Sequence, residues 1–201
     1  MTGADPRIAA RATAARLVAI GVALGLAGLA LFAALHSIVV RPIWSQVAVG
    51  IPFVVAIGLA MSWSYHEFVK AAPARLCATG GLRFGALMWL SALPATALAN
   101  IERVRTHASL PAWFDYVSLV LSLVGGALAL WSVTRSRRAA VAGAIAAATL
   151  LAAGGGPLPV IRNGRVVELW FGLFVLEAAG GVILAQMYRR WAAPPERSQA
   201  R

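Results

Sequence analysis

Between Leu17 and Tyr188 the chain is a succession of apolar runs with arginines in the gaps between them. Most of the runs approach the twenty or so residues that a helix needs to cross roughly 30 Å of hydrocarbon at 1.5 Å per residue. No other feature limits the fold so strongly, because a segment in lipid must satisfy its own backbone N–H and C=O groups, which a helix does internally. Composition agrees. Hydrophobic residues fill 60% of the 201 positions and charged residues only 12%, against roughly 25% charged in soluble domains, and the mean hydropathy is +0.77. The expected fold class is an all-α integral membrane protein with six transmembrane helices in a compact bundle, joined by short loops.

The first run, 17–40, carries no formal charge and includes Gly21, Gly25 and Gly28. The arginines before it resemble a signal-peptide n-region, but the run exceeds the usual 7 to 15 or so residues of an h-region. A retained helix is expected, with 1–16 as a cytoplasmic N-terminal segment. The second run, 43–65, contains Pro52 and stops at His66-Glu67. The third, 84–101, contains Pro94, and the fourth, 112–134, is closed by Arg135, Arg137 and Arg138. The fifth, 139–153, is short, alanine-rich and passes into Gly154-Gly155-Gly156-Pro157. Such thin side chains place it inside the bundle. The sixth, 169–188, ends at Arg189-Arg190, and 191–201, with Pro194 and Pro195, reads as a disordered cytoplasmic tail.

Orientation follows from counting basic residues in the short loops. With the N-terminus inside, Arg7, Arg11, Arg16, Lys70, Arg75, Arg83, Arg135, Arg137, Arg138, Arg189, Arg190, Arg197 and Arg201 fall on the cytoplasmic side. Arg41, Arg103, Arg105, Arg162 and Arg165 fall on the other, so thirteen and five account for all 18 basic residues. An even number of spans in a bacterial-type inner membrane, both termini cytoplasmic, satisfies this bias. The net charge of +11 is thereby explained without nucleic acid.

Asn163-Gly164, flanked by Val160-Ile161-Arg162 and Arg165-Val166-Val167, is the pair preferred in a two-residue type I′ turn, and predicts a small β-hairpin over 160–167. Close helix packing in lipid favours small residues. Gly21 and Gly25 form a GxxxG pair, while Gly125-Gly126 and Gly180-Gly181 notch the fourth and sixth runs. The Gly21–Gly25 face suits a neighbour within the bundle, a membrane-protein partner or a second copy of the chain. Phe84-Gly85 and Phe171-Gly172 open the third and sixth runs, a weak hint of an inverted repeat in which Pro52 and Pro94 would mark broken helices.

Chemistry-bearing residues are few. Glu177 falls near the middle of the sixth run, where an acid is either a proton, cation or substrate site or a neutral hydrogen-bonding group between helices. Ser91, Ser122 and Thr149 stand at similar depth as partners. At the outer face His36 and His107 could hold a haem, or join Glu102, Asp115 and Glu168 around a metal, but no ligand spacing supports either and no cofactor is expected. At the inner face Ser62, Tyr65, His66 and Glu67 form a dense polar and aromatic cluster, which suits the headgroup region; Glu67 and Lys70, three apart, could pair. The lone Cys77 excludes an intrachain disulfide framework. Three functions fit these residues: a non-enzymatic accessory or scaffold subunit, a small-solute or proton-coupled transporter centred on Glu177, or a redox or metal-binding protein using His36 and His107. The first is favoured because the spans hold so few polar groups.

Overall fold

A computed structural model describes residues 13–27, 30, 44–106, 113–150 and 166–191, and for 44–50, 53, 92–93, 95–106, 115 and 166–177 the backbone alone. The described residues form six α-helices: α1 Thr13–Ala27, α2 Trp44–Ala71, α3 Ala78–Thr106, α4 Trp113–Thr134, α5 Arg137–Leu150 and α6 Val166–Trp191. A single 3-10 turn, Pro73–Arg75, joins α2 to α3. No strand occurs among the described residues.

The hairpin expected over 160–167 is corrected at its second arm, since Val166 and Val167 belong to α6. β-Branching costs a helix only a few tenths of a kcal/mol per residue, and both valines continue directly into the apolar run, so the helix claims them. Residues 160–165, with Asn163-Gly164, lie outside the described residues. The broken helices are also not seen: α2 and α3 run unbroken through Pro52 and Pro94. A proline removes one backbone N–H, and the remaining hydrogen bonds of these 28- and 29-residue helices carry the chain past it.

Helices three apart in sequence lie side by side, α2 against α5 and α3 against α6, while α4 packs between α3 and α5. One end of the bundle gathers the start of α1, the ends of α2, α4 and α6 and the starts of α3 and α5. Hydrogen bonds define this end. Ser62 Oγ on α2 donates to Leu17 O on α1 (2.9 Å), Ser64 Oγ donates to Ala142 O on α5 (2.9 Å), and Arg75 reaches Val133 O on α4 (2.8 Å). The core beneath it contains Ile20, Tyr65, Phe68, Phe84, Met88, Leu130 and Leu184.

Backbone-to-backbone contact through glycine dominates the helix crossings. A Cβ added at Gly58 of α2 would strike the Gly21 carbonyl, and one at Gly25 of α1 would strike the Val54 carbonyl. The Gly21–Gly25 face is thus occupied by α2 of the same chain. Gly81 of α3 and Gly181 of α6 face each other's carbonyls, as do Gly126 of α4 and Gly143 of α5. On α5 the small residues Ala139, Ala142, Gly143, Ala146 and Ala147 are buried. Val141 and Ile145 on the same helix are exposed, 53% and 41%, so α5 has an outer face and is not enclosed.

By length and composition Tyr116–Thr134 is the one helical segment among the described residues apolar enough to cross a membrane; Thr13–Ala27 is apolar but shorter.

Candidate functional site

The residues 62–67 fall in the last turns of α2, where the helix enters the end of the bundle just defined, and α6, the 3-10 turn and the start of α3 close around them. Tyr65 is fully buried. Its ring meets Phe84 edge-on at 5.2 Å and Tyr188 edge-on at 5.5 Å, and Phe68 stacks obliquely on Phe84 at 5.6 Å. These are the offset arrangements favoured by aromatic quadrupoles. The Tyr65 hydroxyl lies 3.5 Å from Arg75 O. His66 Nδ1 is 2.6 Å from the Tyr188 hydroxyl, which ties α2 to α6. His66 lies one residue beyond the apolar run 43–65. Burial pushes its imidazole below the ordinary value of 6.5, the Glu67 carboxylate opposes that shift and Lys70 adds to it. The ring is therefore neutral at pH 7.

Glu67 is buried, 8% exposed, while Lys70 points to the surface. The expected Glu67–Lys70 pair does not form: among the described residues no ion pair is made by either. A lysine on the last turn of a helix gains more from solvent and from the helix C-terminus than from following an acid into the interior.

Sequence reasoning counted Arg75 only as a loop charge, yet it is the joint of this end. Its guanidinium lies over the Phe68 ring at 4.6 Å and donates to Phe68 O (3.1 Å) and Val133 O (2.8 Å). Those are carbonyls in the last turns of α2 and α4, which lack intrahelical donors. The signal was the placement of a forked donor two residues after Pro73, in a loop too short to carry it away from the helix ends. Tyr188 and Phe84, the other members of the aromatic group, were read only as the end of the sixth run and the start of the third.

The polar residues expected at the depth of Glu177 divide. Ser91 is buried on α3, and Gly125 of α4 packs on its carbonyl. Ser122, one turn before Gly125, is buried with Ser118, four residues earlier on the same face of α4. Ser91 therefore lies in the α3–α4 seam, while Ser118 and Ser122 stand on the row of α4 that continues to Gly126. The Ser91 hydroxyl donates to Met88 O (2.6 Å) and that of Thr149 to Ala146 O (2.9 Å), each within its own helix. Thr149, half-buried on α5, is not part of that seam. Glu177 lies in α6 one turn before Gly181; its side chain is outside the described residues.

The outer candidates are mostly beyond description as well. His36 and His107 lie outside the described residues, and Glu102, Asp115 and Glu168 are placed by backbone only. Asp115 and Glu168 are each third in their helix, α4 and α6. An acid in a first turn complements the helix dipole without needing a metal.

Comparison with known proteins finds no matching family model, no matching curated protein and no matching solved structure.

Proposed function

We propose that this chain is a polytopic membrane protein of six spans, its arginine-rich end in the cytoplasm, acting as a non-enzymatic accessory or scaffold subunit. The observation that carries the membrane reading is the apolar exterior of the bundle, clearest on α4. Phe114, Ser118, Ser122 and Leu130 are buried, with Gly126 between them, whereas Leu119, Val120, Val124, Leu128 and Trp131 are exposed. Two of the buried side chains are hydroxyls, and Val120 and Leu128 are 55% and 57% exposed. Ile51, Leu82, Leu90, Val141, Ile145 and Ile183 extend the apolar exterior to the neighbouring helices. A soluble monomer keeps contiguous exposed apolar surface to roughly a few hundred Å², so an exterior of this kind is unfavourable in water. In lipid it is the expected exterior.

The placement of charge supports the orientation. Arg16, Lys70, Arg75, Arg83, Arg135, Arg137, Arg138, Arg189 and Arg190 all stand within about two turns of the same end. The scaffold reading draws on how polar side chains are used: Ser62, Ser64 and Arg75 each bond a carbonyl of another helix. They hold helices in register, whereas a transporter moves its helices against one another around a central site.

The native cysteine supplies the test. Cys77 is exposed at the arginine-rich end, so in intact spheroplasts an impermeant maleimide should leave it unlabelled until the membrane is opened. In a Cys77→Ser background, Asn163→Cys should react from outside and Ser136→Cys should not. Release of the protein by alkaline carbonate, or the reverse labelling pattern, would overturn the reading. In mild detergent the protein should co-migrate with a stoichiometric membrane partner, and vesicles containing it alone should show no added solute or proton flux.

A further inference from the structure

Among the acids whose side chains are described at the basic end, Glu67 stands alone, and it is buried. Among the described residues the nine cationic residues there have no ion-pair partner, and Arg75 is spent on two carbonyls of the chain. The density is highest where α4 passes into α5: Arg135, Arg137 and Arg138 occupy three of four consecutive positions. Two of them stand in the first turn of α5, which has no acid, and at a helix start the backbone dipole repels them further.

The conformation of this corner directs the charge outward. Arg135 is the one non-glycine residue of positive φ among those described, 54°, a left-handed geometry that L side chains avoid. It sets the guanidinium 4.7 Å over the Trp131 ring, which is itself 43% exposed. The α5 start is already capped by Ser136, whose Oγ accepts from Ala139 N–H (3.4 Å) and whose carbonyl accepts from Ala140 N–H (3.0 Å). The groups left without a hydrogen-bond partner among the described residues are the guanidinium forks. Below them Val120, Val124, Leu128 and Trp131 form an exposed apolar stripe along the outer face of α4, ending at the arginines.

We propose that this corner binds an anionic phospholipid: the acyl chains lie on the α4 stripe and the headgroup phosphate is held by Arg135, Arg137 and Arg138. The inference rests on the membrane reading above. It selects a lipid over a soluble anion because the cations cap an apolar track, and a guanidinium fork matches phosphate oxygens two at a time. Basic residues at an anionic surface are each worth about 1 kcal/mol, roughly five-fold in binding, so even one engaged arginine should give a measurable headgroup preference.

The test uses the purified full chain in vesicles with brominated acyl chains, which quench tryptophan on contact, carried either on phosphatidylglycerol or on phosphatidylcholine. The share of Trp131 is obtained by difference from Trp131→Phe. Phosphatidylglycerol should quench it at several-fold lower mole fraction than phosphatidylcholine, and salt should narrow the gap. The combined variant Arg135→Gly, Arg137→Gln and Arg138→Gln should abolish the preference; glycine accepts the positive φ, so the fold is kept. A triple lysine variant, which retains the charge, should keep most of it. Equal quenching by both lipids, or a preference that survives the neutral variant, would overturn the headgroup site while leaving the membrane reading intact. Absence of quenching by either lipid would overturn both.

Discussion

The arginine-rich end and the glycine seams hold the same helices together by opposite means. At the end, helices are joined by what side chains reach: Arg75 spans from the 3-10 turn to α4, and His66 meets Tyr188. In the seams they are joined by what side chains lack, and carbonyls stand where a Cβ would be at Gly58, Gly126, Gly143 and Gly181. On the membrane reading, apolar side chains gain little by leaving lipid, so such a bundle relies on close dispersion contact and on polar ties. The contrast teaches that the seams should tolerate no added atom, whereas the end should lose its ties one at a time.

The largest effect is expected at Gly181, and its neighbour is the control. A Cβ on Gly181 would collide with the Gly81 carbonyl and come within 2.9 Å of Gly85 N, whereas one on Gly180 meets nothing within 4 Å. Gly181→Ala should destabilise by about 1–3 kcal/mol, since neither backbone can move aside, and Gly181→Leu should yield no folded protein. Gly180→Ala should be neutral or stabilise by up to about 1 kcal/mol, from helix propensity. Detergent-titrated unfolding followed by circular dichroism compares the pair. Equal responses from two adjacent glycines would break the distinction between seam and surface.

Arg75→Ala comes next, because it strips two charge-assisted hydrogen bonds and the cover of the Phe68 ring. A loss of about 1–3 kcal/mol is expected. Arg75→Lys should recover only part of it, since one ammonium cannot reach both carbonyls in the geometry of the fork. Full rescue by lysine would reduce the joint to a point charge.

The two regions were unequally legible in the sequence. Small residues at helical spacing announce a seam, and Gly21–Gly25, Gly125-Gly126 and Gly180-Gly181 all proved to include one, because a missing side chain has a single structural use there. What spacing could not supply was the partner: nothing in the chain says that Gly181 meets Gly81 or that Gly126 meets Gly143. The helices were legible for the same reason, and their ends less so, since α3 runs from Ala78 to Thr106 where apolarity alone marked 84–101. Polar residues near helix ends still add backbone hydrogen bonds. At the arginine-rich end the cluster Ser62, Tyr65, His66 and Glu67 stood out, but its closing members, Arg75, Phe84 and Tyr188, come from three other elements and are ordinary in type. Ser91, Ser122 and Thr149 were grouped by depth alone as partners of Glu177, and the burial of Ser118 was missed because a hydroxyl one turn further out carries no signal.

The His66–Tyr188 contact makes the end sensitive to pH. The folded imidazole titrates below its ordinary value of 6.5, so the unfolded chain binds the proton more readily as pH falls. Stability is then fully present above about pH 6.5 and decreases on acidification through and below it. His66→Gln should flatten that dependence while keeping a hydrogen-bonding group beside Tyr188. Tyr188→Phe should cost about 0.5–1.5 kcal/mol at pH 7, the net worth of one hydrogen bond. Melting curves between pH 5 and 8 read both, and a dependence unchanged in His66→Gln would assign the titration elsewhere.

The smallest effect on stability is expected at Glu177, one turn from the Gly181 seam. The hydroxyls of Ser91 and Thr149 are already engaged within their own helices, but an accepting hydroxyl oxygen can still take a second bond from a neutral acid or an amide. Glu177→Gln keeps the shape and most of that capacity and should leave folding unchanged. Glu177→Leu removes it and should cost at most about 1 kcal/mol, because intramembrane hydrogen bonds contribute modestly when the unfolded chain in lipid also finds partners. The comparison sharpens if activity is measured with stability. A scaffold keeps its partner in both variants, whereas a proton or cation path through this carboxyl would leave the glutamine variant folded, assembled and without flux. That last result would replace the scaffold reading with the transporter.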